Sequence, residues 1–172
     1  MNKFFWGNSV SSMQTEGGWN EDGKSKSVYD IRPATEKVSD WHFANDNYHH
    51  FDVDLDLMQD LGMNMYRFSV SWSRVIKNGD GEINEAGLKF YDRLVNGCLK
   101  RGIEPMICLY HFDMPLHLAE KYNGFLSKKL VRPSSDMEKC WLIIFPIGSS
   151  TGLLLMNKIS ILNPVPLRSL AL

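Results

Sequence analysis

The sequence has little excess of either charge, few cysteines and no long uninterrupted apolar run, and each shortage removes a class of protein. Lys and Arg number 19 against 20 Asp and Glu, a net charge of −1, which gives no broad electrostatic pull toward nucleic acid or an anionic membrane. Cys98, Cys108 and Cys140 are an odd number without metal-ligand spacing, and the first two stand in apolar surroundings. They are expected to be buried, reduced thiols of a cytoplasmic protein. The opening residues carry one Lys and only a brief apolar run, too little for a secretory signal. Internal repeats of fixed period are also lacking. At 172 residues the chain suffices for a compact domain with a real core, but falls short of the roughly 250 residues that eight β/α units take.

What is present is an alternation of strand and helix patterns up to about residue 131. Phe4 to Val10 is a short apolar run ending in small polar residues and is expected to be a buried strand. Residues 15–45, rich in Gly, Asn, Asp, Ser and Lys, form a long loop, a length usually reserved for function or disorder. From Asn47 to Leu61, Tyr48, Phe51, Leu55, Met58 and Leu61 recur at spacings of three and four, the stripe of an amphipathic helix, and Gly62 follows as its cap. Met63 to Val70 is a second strand. Asn84 is placed to cap a second helix with the stripe Leu88, Tyr91, Leu94, Val95, Cys98 and Leu99, ended by Gly102. Pro105 to His111 is a third strand. This order implies parallel strands with crossover helices, and leaves a barrel and a doubly wound sheet both open.

Polar side chains gather where the strands end: Gln14, then Arg67 and Ser69, then His111 and Asp113. Gln14 follows the first, and its amide offers a donor and an acceptor suited to vicinal sugar hydroxyls, or to satisfying loop backbone. Arg67 lies inside the apolar second strand, where burial demands a carboxylate partner, either a catalytic acid or a structural salt bridge. His111 closes the third strand, able to hydrogen-bond a hydroxyl, act as a base or rest as a satisfied core histidine. It has no neighbour at ligand spacing, so no metal is expected. Asp52, Asp54 and Asp56 suggest a calcium loop, but Leu57 and Met63 occupy the positions that need Gly and Glu. They read as a solvated helix face, as do His49 and His50.

Taken in order, these segments resemble glycoside hydrolase family 1. FFWGNSVSSMQTEGGWNEDGKSKSVYD is similar to its opening strand and Q-x-E-G-x-W-N-x-D-G-K loop. HHFDVDLDLMQDLGMNMYRFSVSWSRV resembles its Y-R-F-S-x-x-W-x-R segment, and LYHFDMPLHLAEKYNGF its Y-H-x-D-x-P segment. The resemblance runs from about Phe4 to Val131. It implies an α/β fold, an incomplete (β/α)8 TIM barrel made of the first three β/α units. It also implies hydrolysis of β-glucosides with retention, without cofactor. Phe112, where many β-glucosidases carry Trp, points to the bacterial 6-phospho-β-glucosidase branch. Carried over by position, Gln14 and His111 contact the glycone and Arg67 keeps the nucleophilic carboxylate ionised. The family's acid/base motif T-F-N-E and nucleophile motif E-N-G are not in this sequence, so the 172 residues are expected to be inactive by themselves. A three-unit sheet is also expected to leave an edge and an apolar face uncovered and to fold poorly.

Residues 1–131 are thus expected to be the barrel part, and 132–172 an unrelated, poorly ordered tail. The tail holds four of the seven prolines and neither helical nor alternating periodicity. A membrane anchor at Trp141 to Met156 is opposed by Pro146, Gly148 and Ser149-Ser150-Thr151, which interrupt the roughly 20 apolar residues a span needs. Read one base out of phase, permitted codons for Arg132 to Ile159 decode to a helix and a strand ending in T-F-N-E. The tail is therefore expected to be out-of-frame translation from near Val131. The expected partner is a small β-glucoside or phospho-β-glucoside, with neither nucleic acid nor membrane.

Overall fold

The computed structural model describes residues 4–133, Asp136 and the backbone of Leu153–Leu154. Strand β1 (Gly7–Ser9) and the short helix α1 (Ser12–Thr15) lead through the long loop to α2 (Asn47–Asp60) and β2 (Met65–Ser69). The chain continues through α3 (Trp72–Val75), α4 (Glu85–Lys100), β3 (Glu104–Cys108) and α5 (Leu116–Tyr122). The strands form one parallel sheet in the order β1-β2-β3-β4, where β4 is Leu153–Leu154. Gly7 pairs with Met65, Met65 with Glu104, and Ser69 with Cys108. The fourth strand departs from the three expected, since Leu153 and Leu154 pair with Ile107 and Cys108 on the edge that was to stay uncovered. The rest of the tail, including most of the proposed anchor segment, lies outside the described residues.

Both long helices end as their sequence requires. Gly62 has φ +71°, and the Met63 and Gly62 amides donate to Met58 and Gln59 carbonyls at 3.0 and 2.9 Å. Gly102 repeats the arrangement after α4, where the Ile103 amide donates to Cys98 at 3.0 Å. These paired bonds satisfy carbonyls that a helix end leaves open, in a backbone conformation that only glycine adopts cheaply.

Two expectations about local burial and one about capping need correction. β1 is exposed along its length, and Trp6 before it is 61% exposed, because among the described residues no strand or helix covers its outer edge and face. Leu61 lies off the α2 stripe and is exposed, since the cap rotates it past the buried Tyr48, Phe51, Leu55 and Met58. Asn84 occupies the N-cap position of α4 without capping it. Its amide nitrogen instead donates to the carbonyls of Asp22 and Arg74, at 2.7 and 2.8 Å, tying the loop to α3. The aspartates of α2 behave as a surface face, Asp52 and Asp56 receiving Arg101 at 3.2 and 2.7 Å. His49 and His50 are exposed, and His49 bridges Asp46 and Glu21 at 2.6 and 3.0 Å.

α4 packs on α3 through a close approach at Gly87, where a Cβ would stand 2.1 Å from the Arg74 carbonyl oxygen. Gly87→Ala therefore sets about 1 kcal/mol of helix propensity against the roughly 1–3 kcal/mol cost of overpacking. The obstruction is backbone and cannot rotate away, so a net loss of stability is expected in urea unfolding, despite the better helix former.

Candidate functional site

Of the three carried-over residues, Gln14 and His111 lie beyond the carboxyl ends of β1 and β3 and Arg67 lies within β2 between them, with different degrees of cover. Gln14, in α1 beyond β1, is exposed, and its Oε1 accepts from the Ser11 hydroxyl at 2.6 Å. Arg67, in β2, is half-buried and donates from Nη1 to Ser9 Oγ at 2.8 Å. His111, beyond β3, is half-buried, and its Nδ1 has no hydrogen-bond partner among the described residues. Burial, and then the positive charge of Arg67, lower the His111 pKa below its ordinary value. A neutral imidazole results, able to donate from one nitrogen and accept at the other, as contact with a sugar hydroxyl requires. Phe112 next to it has φ +69°, uncommon for a bulky side chain, and exposes its ring beside that of His111 at 4.9 Å between centroids. Local strain of this kind clusters at binding sites.

The fully buried arginine is not Arg67 but Arg74, seven residues on. Its side chain is 0% exposed and its Nε donates to Glu16 Oε2 at 2.8 Å. Nη2 donates to the carbonyls of Gly17 and Gly18 at 3.1 and 3.0 Å. The guanidinium lies 4.3 Å from the Tyr48 ring centroid, and the Tyr91 hydroxyl donates to the second oxygen of Glu16. Burial alone would depress the Arg74 pKa, but Glu16 more than compensates and raises it. Full burial against a carboxylate, expected of Arg67, is found instead at Arg74 in α3, which the W-x-R segment contained without showing its partner.

A second buried carboxyl is Asp113, expected among the polar residues at the strand ends but given no role there. It is 1% exposed, and its Oδ2 accepts from the Ser12 hydroxyl at 2.9 Å. Burial pushes its carboxyl up to about 7; the Ser12 hydrogen bond opposes the shift and the charge of Glu16 adds to it. Because the folded value exceeds the unfolded one, this group favours folding most below about pH 4, and that contribution is lost as pH rises through about 7. Stability should fall across that window with a slope approaching about 1.4 kcal/mol per pH unit. Urea unfolding at a series of pH values should show a flatter profile for Asp113→Asn. An equal slope in both proteins would contradict the assignment.

Among the described residues no group of three or more His, Cys, Asp or Glu is placed to hold a metal ion, and no helix is long and apolar enough to cross a membrane. Cys98 and Cys108 are buried free thiols, and burial pushes the Cys98 thiol up to about 12.

Parallel β/α units in the consecutive order β1-β2-β3-β4 are consistent with a segment of a β/α barrel. The chain belongs to glycosyl hydrolase family 1, whose model matches residues 1–141. It is 48% identical over 132 residues to an aryl-phospho-beta-D-glucosidase of Bacillus subtilis, the alignment covering 74% of this chain and 28% of that protein. It is 43% identical over 134 residues to Beta-glucosidase 34 of Oryza sativa, covering 76% of the chain and 26% of the relative. Among solved structures, a rice beta-glucosidase superposes with TM-score 0.81 at 34% identity, covering 90% of this chain and 33% of that one. A Thermotoga maritima beta-glucosidase gives 0.83 at 28% identity over 91% and 36%. The chain thus spans between about a quarter and a third of these relatives.

Proposed function

We propose that these residues form the glycone-gripping part of a retaining β-glucosidase of the 6-phospho-β-glucosidase branch, acting in the cytoplasm. The observation that supports the reading is that Gln14 and His111 follow the carboxyl ends of β1 and β3, with Arg67 on β2 between them. Gln14 and His111 hold the sugar hydroxyls, and Arg67 holds the nucleophile ionised through its positive charge. In a retaining glycosidase one carboxyl protonates the leaving oxygen while another, about 5–5.5 Å away, attacks the anomeric carbon. The motifs that bring those carboxyls are not in this sequence, so the 172-residue stretch is proposed to bind sugar without cleaving it. The phospho-sugar preference is supported by Phe112 and by likeness to the Bacillus subtilis aryl-phospho-beta-D-glucosidase. Two buried free thiols support the reducing compartment. The tail beyond Val131 is proposed to be out-of-frame translation; an intact reading frame around that codon would overturn this.

Calorimetry with glucose and glucose 6-phosphate is expected to show binding that weakens about tenfold or more in His111→Ala, the loss of a buried polar contact. Assays with p-nitrophenyl-β-glucoside and its 6-phosphate are expected to show no turnover. A flat titration removes the binding reading, and turnover by the purified chain that disappears in His111→Ala refutes the inactivity.

A further inference from the structure

Beneath the three rim residues runs a buried chain of hydrogen bonds in which each member stands two residues from one of them. Ser12 precedes Gln14 by two positions, Ser69 follows Arg67 by two, and Asp113 follows His111 by two. All three are buried. The Ser12 amide donates to Ser69 Oγ at 2.8 Å, Ser69 Oγ donates to Ser12 Oγ at 3.2 Å, and Ser12 Oγ donates to Asp113 Oδ2 at 2.9 Å. Each serine hydroxyl has one proton to give, so the sequence of donors needs a terminal acceptor, and Asp113 supplies it. The other carboxyl oxygen has no hydrogen-bond partner among the described residues. Asp113 borders a cavity of about 20 Å³, together with Ser12, Glu16, Lys24, Ser27 and Ser71.

Burying this carboxyl so completely costs stability that a smaller apolar residue would not, which makes its retention at the junction of three strand ends informative. The groups facing it come from every neighbouring segment. The loop after α1 brings Glu16, Tyr29, and Lys24 with its partner Asp30, and the exit of β3 brings Tyr110. The β2 side presents only the uncharged Ser69 and Ser71.

We infer that Asp113 is a positioning residue for the sugar grip, acting through Ser12 and Ser69 to fix the spacing of Gln14, Arg67 and His111. The inference rests on the proposed role of those three as glycone contacts. A hydrogen-bonded bridge between three strand ends holds each more narrowly than apolar packing does, because its distances and angles are fixed to a few tenths of an ångström. Sugar contacts need that accuracy.

The test uses the full chain and three variants: Ser12→Ala, Asp113→Leu and Asp113→Asn. Glucose 6-phosphate and glucose binding are read by calorimetry. The His111 imidazole titration and the Gln14 side-chain amide shifts are read by NMR. Ser12→Ala and Asp113→Leu are expected to weaken binding at least tenfold and to displace both NMR signals. Asp113→Asn, which retains an acceptor oxygen for Ser12, is expected to recover most of the binding lost in Asp113→Leu. If Asp113→Leu does not fold, Ser12→Ala, which removes one oxygen, decides. Folded variants with unmoved His111 and Gln14 signals overturn the inference. Should the unmodified chain bind neither sugar, the glycone reading fails, and the NMR signals alone then decide the positioning role, displaced signals supporting it and unmoved ones ending it.

Discussion

Arg74→Met should cost about 3–5 kcal/mol in urea unfolding, the scale for breaking one side of a buried ion pair. The loss comes less from the attraction removed than from what is left behind. Glu16 would stay buried at 5% exposure with only the Tyr91 hydroxyl donating to it, and the Gly17 and Gly18 carbonyls would lose the Nη2 donor they share. Met fills much of the space against Tyr48 and Phe90, so cavity formation is a minor part. Glu16→Leu in the same background should recover part of the loss, because the orphaned carboxylate goes with it. Full recovery is not expected, since the two glycine carbonyls lose the Arg74 donor and the Tyr91 hydroxyl loses its carboxylate acceptor. A double-mutant cycle separates these contributions. A single variant that lost less than 1 kcal/mol would show that the cluster is open to water.

Trp72→Ala should be comparably severe, about 3–5 kcal/mol for truncating a buried tryptophan. Trp72 begins α3 just past the end of β2 and is 1% exposed. Its ring lies 6.3 Å from that of Tyr110, edge to face, and 6.4 Å from that of Phe125. It therefore packs the exit of β3, which carries His111, against the turn at Gly124–Leu126. Its indole nitrogen is buried without a hydrogen-bond partner among the described residues, so Trp72→Phe should cost much less than the alanine change. Trp72→Ala should also loosen sugar binding through Tyr110, whose ring it contacts beside His111. Thermal and urea midpoints check the first claim; calorimetry with glucose 6-phosphate checks the second.

These two sites illustrate how unevenly the molecule could be read from its residues. The stripe of α2, the two glycine caps and the parallel order of β1, β2 and β3 follow from local periodicity and from backbone preferences, which act within a few residues. The family segments located Gln14 and His111 after their strands and Arg67 within its strand for the same reason. The burial of Arg74 and Asp113 was not legible. Both stand inside motifs that had been noticed, but their partners Glu16 and Ser12 are 58 and 101 residues away, and no local pattern pairs residues at that distance. Asn84 shows the complementary failure. Its position before α4 suits a cap, but its amide nitrogen is held by the Asp22 and Arg74 carbonyls that the fold brings close, and its oxygen makes no capping bond.

By itself, then, the sequence determined an α/β chain with parallel strands, near-neutral charge and the segments of one hydrolase family, because propensity, spacing and motif order are properties of the chain. The tertiary structure alone decided which charged groups lose their water. Arg67 stays partly exposed beside Ser9, Arg74 is enclosed with Glu16, and Asp113 ends a three-strand relay with its carboxyl raised to about 7. Desolvation depends on everything packed around a group, from α2, α4 and the loop as much as from its own strand, and so exists only once those elements have met.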